Sequence, residues 1–423
     1  GSVEKDDGSI KPPKNNMFAK RKGEIILFKK NLSKKELSFR KRTGLKEFDR
    51  VLGGGLVKSS AILLSGDPGI GKSTLLLQVA NSFSQNGANA IYISGEEAEE
   101  QIRMRAERLD HKNSNIKIGS ETDLNNILAT LETEKFDLLI IDSIQTINSD
   151  LIDSMPGSVA QVKNCVLELT KVAKSKGFSI IFVGHVTKDG QIAGPKLVEH
   201  MVDTVIHFEN DNGIDFRILR TLKNRFGASN EIGVFEMTSK GLEEVENPSQ
   251  LFISERDQVH NGSTIFGALE GSRPVLVEIQ TLVAKSSLAT PRRTVVGLDS
   301  TRLSMILAIL DARCSINLST HDVFLNVAGG IRISEPAADL AVAMALMSAF
   351  DKIVLPKNSV IFGELSLSGA LRQVTQADLR IKEAEKLGFQ NIILPKKSKI
   401  SQYSNLNLKK YENILEVLQK YIK

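Results

Sequence analysis

The segment Gly66-Asp67-Pro68-Gly69-Ile70-Gly71-Lys72-Ser73-Thr74 has the spacing G-x-x-x-x-G-K-[ST]. Glycines at these positions let successive backbone N–H groups converge on phosphate oxygens. A lysine placed next reaches the β- and γ-phosphates, and the Ser73 hydroxyl that follows is placed to ligate Mg²⁺. The chemistry this points to is binding and hydrolysis of ATP with Mg²⁺. Two acidic positions further along can complete it. Asp142 ends the apolar run Leu138-Leu139-Ile140-Ile141, where a carboxylate orients the Mg²⁺ shell. Ser94-Gly95-Glu96-Glu97 ends another apolar run, and Glu96 is the expected base for the attacking water. The competing reading is that Glu96 and Glu97 merely open a charged helix.

These residues need a scaffold that gathers strand ends, and the pattern supplies one. Residues 61–65 read as a short strand running into the glycine loop, and 72–84 have helical spacing. Strands are expected at 90–94, 137–141 and 179–183, with helices at 97–109 and 159–176. Continuous apolar strands alternating with helices imply a parallel sheet covered on both faces. Ligands bind such sheets at the carboxyl edge, where Ser143, Gln145 and Thr146 add polar side chains. Residues 204–208 and 216–222 flank Asp211-Asn212-Gly213, a hairpin-turn sequence that predicts antiparallel strands closing this domain.

A boundary is expected near Asn247-Pro248-Ser249, giving an ATPase domain over 23–248 and a second α/β domain over 249–423. In the latter, strands are expected at 263–269, 275–283 and 391–394. Helices are expected at 300–312, 337–349, from an Asp378 cap to 387, and at 411–421. Residues 1–22, rich in Lys, Asp, Ser, Pro and Asn, read as a disordered arm, and a short strand is expected at 24–28. Gly1-Ser2 reads as a tag remnant.

A length of 423 residues suggests two or three domains, and 41% hydrophobic with 25% charged residues is a soluble, globular balance. The formal net charge of +5 permits a nucleic-acid partner without arguing for one. No apolar run approaches the roughly 20 residues of a membrane span, and no signal peptide is legible. Two distant cysteines, Cys165 and Cys314, cannot build a disulfide framework, which fits a reducing cytoplasm.

Thr43-Gly44 with Asp49, the Gly53-Gly54-Gly55 turn, the phosphate loop, Ser94 to Glu97 and Asp142 to Thr146 together resemble the RecA-type recombinase core. Three more stretches narrow the resemblance to the bacterial RadA (Sms) family of DNA-repair ATPases. They are His185-Val186-Thr187-Lys188-Asp189-Gly190 with Ala193-Gly194-Pro195-Lys196, then Glu199-His200-Met201-Val202-Asp203, and Lys223-Asn224-Arg225-Phe226-Gly227. The resemblance runs from Thr43 to the C-terminus. It implies a nucleoid-associated hexameric ring that drives branch migration, with a RecA recombinase as functional partner. Carried over by motif, Lys223 and Arg225 would act in a neighbouring subunit's ATP site, and His185 would sense the γ-phosphate. Lys188 and Lys196 would grip single-stranded DNA from a pore loop, with a second such loop at 148–157. The bland alternatives are a basic surface turn for Lys223 and Arg225 and an ordinary flexible loop for the lysines.

The second domain resembles the proteolytic domain of Lon through 322–330, 335–341 and 363–369. Ala337 stands where that family has its serine and Asp378 where it has its lysine. No peptidase activity is therefore expected, and oligomerisation and duplex-DNA contact are the expected roles. Arg292 and Arg293 are the candidate phosphate contacts, or else a solvated basic turn. The family's four-cysteine zinc module has no counterpart in this sequence. A second function class stays open, a nucleotide-switched assembly protein with the same core and no DNA translocation. A third, an ATP-dependent protease, is disfavoured by Ala337 and Asp378.

Overall fold

The computed structural model describes residues 40–109, 116–185, 195–210, 216–253 and 260–422, with the backbone alone at 195–197. The expected arm at 1–22, the strand at 24–28 and the turn at Asp211-Asn212-Gly213 lie outside the described residues.

A two-stranded ladder, β1 (Arg40–Lys41) with β2 (Leu56–Val57), precedes the first large sheet. Nine strands build that sheet: β3 (Ala61–Gly66), β4 (Ala90–Ser94), β5 (Lys117–Ser120), β6 (Leu138–Asp142), β7 (Ser179–His185), β8 (Thr204–Asn210), β9 (Phe216–Asn224), β10 (Ile232–Thr238) and β11 (Gly241–Glu244). Their order is β11-β10-β9-β8-β3-β7-β6-β4-β5. The strands from β8 to β5 in that order run parallel, and β9, β10 and β11 are antiparallel additions. The phosphate-loop strand β3 is central, and all six of its residues are buried.

The period-two rule decides which side chains go to which face. Ile62 and Leu64 join the apolar cluster under the helices Lys72–Gln85 and Glu99–Arg108. Ala61 and Leu63 join the opposite cluster, under the helices Leu124–Thr133 and Val159–Lys176. A strand buried on both faces has no polar alternation, which is why these runs read as continuously apolar.

The second large sheet contains β12 (Ser263–Glu270), β13 (Arg273–Lys285), β14 (Arg293–Val296), β15 (His321–Val327), β16 (Ser359–Ile361), β19 (Asn391–Pro395) and β20 (Asn407–Tyr411), in the order β14-β15-β13-β12-β16-β19-β20. A small ladder joins β17 (Glu364–Leu365) to β18 (Leu371–Arg372). Helix Asp339–Asp351 is its central core element, buried from Asp339 to Ser348. Ile218, Ile232 and Val234 of the first sheet share this core. Three ion pairs flank that seam, and the first of them is buried on both sides. Arg273 on β13 pairs with Glu47, and Arg220 on β9 bonds Glu270 on β12 at 2.6 Å and Glu209 at 3.0 Å.

Some expected boundaries move. The expected 97–109 helix begins at Glu99, so Glu96 and Glu97 precede it. The 337–349 helix begins at Asp339, after a 3-10 turn over Pro336–Ala338. Asp378 is not a cap: it lies in the first turn of Ala377–Lys386, and Gln376, at φ 52, is the N-cap. The last helix starts at Ile414, because Tyr411 belongs to β20 and Asn413 caps the helix through Glu416 N.

Candidate nucleotide site

β3 delivers Gly66 to the carboxyl edge of the sheet, and the chain arches over to the helix Lys72–Gln85. Two glycines make the arch possible. Gly69 and Gly71 have φ of 78° and 113°, where a side chain is strained. A Cβ on Gly71 would also stand 2.8 Å from Met237 Cε. The Lys72 ammonium lies beneath the arch, donating to Gly66 O and Asp67 O at 2.8 Å each. It is 4% exposed, and burial pulls its pKa below the ordinary lysine value against the carboxylates of Asp142, Asp67 and Glu96. An ammonium with little water around it and a helix N-terminus beside it form an anion trap.

Strand register sets the rest of the site. Gly66 lies opposite His185 of β7, and Ser94 opposite Asp142 of β6. All four therefore stand along one edge. Asp142 is buried, and Tyr92 donates to its Oδ2. Glu96 Oε1 accepts from Ser143 Oγ at 2.5 Å and lies 3.2 Å from His185 Nε2. Glu97 is held elsewhere, by Arg105 of the following helix. The structure thus brings Glu96, Asp142, Lys72, Ser73 and His185 to one place and turns Glu97 away. Sequence reasoning passed over Ser143 as a Glu96 partner, although it lies in the polar run after β6. It also passed over Tyr92, whose signal is a lone phenol between two isoleucines.

Ser73 and Asp142 offer hard oxygen donors, a hydroxyl and a carboxylate. That set fits Mg²⁺, which binds through one or two protein oxygens and takes the rest from phosphate and water. When bound, the ion neutralises charge on the phosphate oxygens.

Lys223 and Arg225 lie at the opposite edge of the sheet. Asn224 pairs with Thr204, which pairs with Ile62 near the start of β3. Arg225 N donates to Asp203 O, and Asp203 N donates to Ala61 O. From Ala61 to Gly66 the strand covers about 17 Å. The structure therefore does not bring these cations to the phosphate loop of their own chain. Lys223 Nζ donates to Glu199 O at 2.7 Å and Val202 O at 2.8 Å, at the end of the helix Pro195–Met201. Arg225 pairs with Asp203 Oδ1 at 3.3 Å and is 55% exposed. Asp203 Oδ2 accepts from Ala61 N at 3.0 Å, so one carboxylate touches both Arg225 and the root of β3.

Lys188 and the Lys196 side chain lie outside the described residues. The second expected loop is held by Gln161, which bonds Ser149 N at 2.9 Å and the carbonyls of Ser149, Ile152 and Ser154 at 3.1, 2.9 and 3.0 Å. It exposes Leu151 and Met155. Arg292 is exposed. Arg293 is committed to backbone carbonyls, donating to Arg292 O and Leu318 O at 2.9 Å and to His321 O. In the second sheet Ala337 is buried, and Asp378 accepts from Ser401 N and Tyr403 OH at 2.8 Å each. The Ser401 amide holds its carboxyl below the usual range.

A glycine-arched loop between a buried strand and a helix, with a strand-end aspartate beside it, defines a P-loop ATPase with a RecA-like core. Residues 41–249 match the family model described as "ATPase: KaiC", and 285–398 match "ChlI: Subunit ChlI of Mg-chelatase". The RecA-like ATPase domain followed by a Lon-like α/β domain, expected from the sequence, is borne out. The DNA repair protein RadA of Brucella abortus is 54% identical over 384 residues, covering 90% of this chain and 82% of its own. Those of Rickettsia conorii and Bacillus subtilis are 53% and 48% identical over 356 residues, covering 84% of this chain and 80% and 78% of theirs. The chain belongs to the RadA family of DNA repair proteins. Among the described residues no helix is long and apolar enough to cross a membrane.

Proposed function

We infer that this chain is a DNA-dependent ATPase of recombination and repair. It hydrolyses ATP with Mg²⁺ to translocate on single-stranded DNA and drive branch migration, as a cytoplasmic, nucleoid-associated homohexameric ring working alongside a RecA recombinase. Residues 23–248 are the ATPase domain and 249–423 the Lon-like domain. The observation that carries this reading is the place of Lys223 and Arg225, on the sheet edge away from their own phosphate loop. Cations there can reach a triphosphate only in another subunit, where they stabilise charge on the transferring phosphoryl group and couple turnover to movement.

Within one site the roles divide by position. Lys72 and the loop amides hold the phosphates. Ser73 and Asp142 hold the metal ion. Glu96 takes the proton of the attacking water, and His185, bonded to the same carboxylate and level with Gly66, senses the γ-phosphate. Lys188 and Lys196 contact single-stranded DNA, and Arg292 contacts duplex phosphates with Arg293 beside it. The Lon-like domain has no peptidase activity, because neither a methyl group nor a carboxylate can form a serine–lysine pair.

The test compares ATPase rate with and without single-stranded DNA, and branch migration, for the parent, Lys223→Ala and Arg225→Ala. Both variants are expected to bind ATP as the parent does and to lose DNA-stimulated turnover and branch migration. Unchanged branch migration in either rejects the role given to that residue. One observation favours a second reading, a nucleotide-switched assembly protein without translocation: Lys223 is already held by two carbonyls of its own chain. A parent rate indifferent to single-stranded DNA would select that reading.

A further inference from the structure

Tyr92 stands mid-strand in β4 between Ile91 and Ile93 and is 1% exposed. Its ring packs in the apolar cluster beneath the helix that follows the phosphate loop. Phenylalanine would serve that packing equally well. A buried hydroxyl without partners is costly, so the question is what this one bonds. Its O–H donates to Asp142 Oδ2 on the neighbouring strand.

Proton counting fixes the direction of this bond. A phenol has one proton, and the acceptor-only carboxylate takes it. At Asp142 the phenol occupies Oδ2 and not Oδ1.

The geometry assigns Tyr92 as a positioning residue for the divalent metal ion, its hydroxyl fixing the Asp142 carboxylate that would hold the ion. The assignment rests on the reading of Asp142 as a metal ligand. Tyr92 acts through that side chain. Outer-shell partners of this kind typically govern about 10–100-fold of metal affinity.

The experiment uses the full chain, the parent against Tyr92→Phe, with Mn²⁺ as the probe. Mn²⁺ uptake by the protein–ADP complex is titrated by the loss of the free-ion EPR signal. Affinity for a fluorescent ADP is measured separately in EDTA. Tyr92→Phe is expected to weaken Mn²⁺ uptake by about tenfold while leaving the EDTA affinity within about twofold. The Mg²⁺ concentration for half-maximal ATPase should rise in parallel. Tyr92→Leu, which fills the site without a hydroxyl, carries the same expectation if the phenylalanine variant folds poorly. Equal Mn²⁺ uptake by parent and variant overturns the assignment and leaves the metal site standing. An equal loss of nucleotide affinity in EDTA also overturns it, since that marks general damage. A parent that takes up no Mn²⁺ with ADP overturns the metal site itself.

Discussion

Glu96→Gln and Glu97→Gln make a matched pair, because the two residues are adjacent in sequence and placed differently. The amide is nearly isosteric with the carboxylate and removes only the proton acceptor. Ser143 Oγ and His185 Nε2 both act on Glu96 Oε1, so Oε2 is the oxygen left to accept a proton from water. The side chain is 46% exposed, which admits that water. A positioned general base contributes about 10²–10⁴ in rate, or roughly 3–5 kcal/mol of barrier. Glu97 instead pairs with Arg105, with side chains 31% and 24% exposed. Such a pair is worth about 1 kcal/mol at most. Phosphate release at saturating ATP-Mg²⁺ should therefore fall by at least about a hundredfold in Glu96→Gln and by less than about threefold in Glu97→Gln. Nucleotide affinity should hold in both. A Glu96→Gln enzyme keeping more than about a tenth of parent turnover, or a Glu97→Gln enzyme that is the slower of the two, refutes this reasoning.

Further variants test the second domain and the seam. Arg293→Ala should cost about 0.5–1.5 kcal/mol in urea unfolding, because it removes largely exposed hydrogen bonds to the carbonyls of Arg292, Leu318 and His321. Arg292→Ala should leave stability unchanged, weaken duplex binding and reduce the salt slope by about one. Arg273→Ala should destabilise by roughly 1.5–3 kcal/mol, since the buried Glu47 carboxylate would lose its guanidinium partner and keep only Val234 N and the longer Arg50 contact. Arg273→Met combined with Glu47→Gln should recover much of that loss in the same melt, and a double variant no better than the single one counts against the pairing.

The ATPase core was legible because its signals are local. Gly66 to Thr74 declares its loop by spacing, and doubly buried strands such as β3 declare themselves by unbroken apolar runs. Asp142 followed from its place at the end of such a run. What sequence could not give is pairing across the sheet. Nothing in the order of residues says that β7 lies beside β3, and that adjacency is what sets His185 level with Gly66 and against Glu96. The seam pairs Arg220–Glu270 and Arg273–Glu47 escaped for the same reason. Short edge strands escaped differently: β5 and β14 are only four residues each and carry exposed polar side chains, so alternation cannot be read. The helix Leu124–Thr133 was missed although Asp123 caps it through Asn125 N and Asn126 N, a signal present in the sequence. The displaced start at Asp378 reflects Gln376, whose left-handed backbone composition does not announce.

Asp203 has the form of a pushrod bearing. One oxygen grips the amide at the foot of the phosphate-loop strand, and the other grips Arg225. A fully paired strand in the middle of a sheet stretches very little, so Arg225 and the glycine arch stand at the two ends of one stiff element.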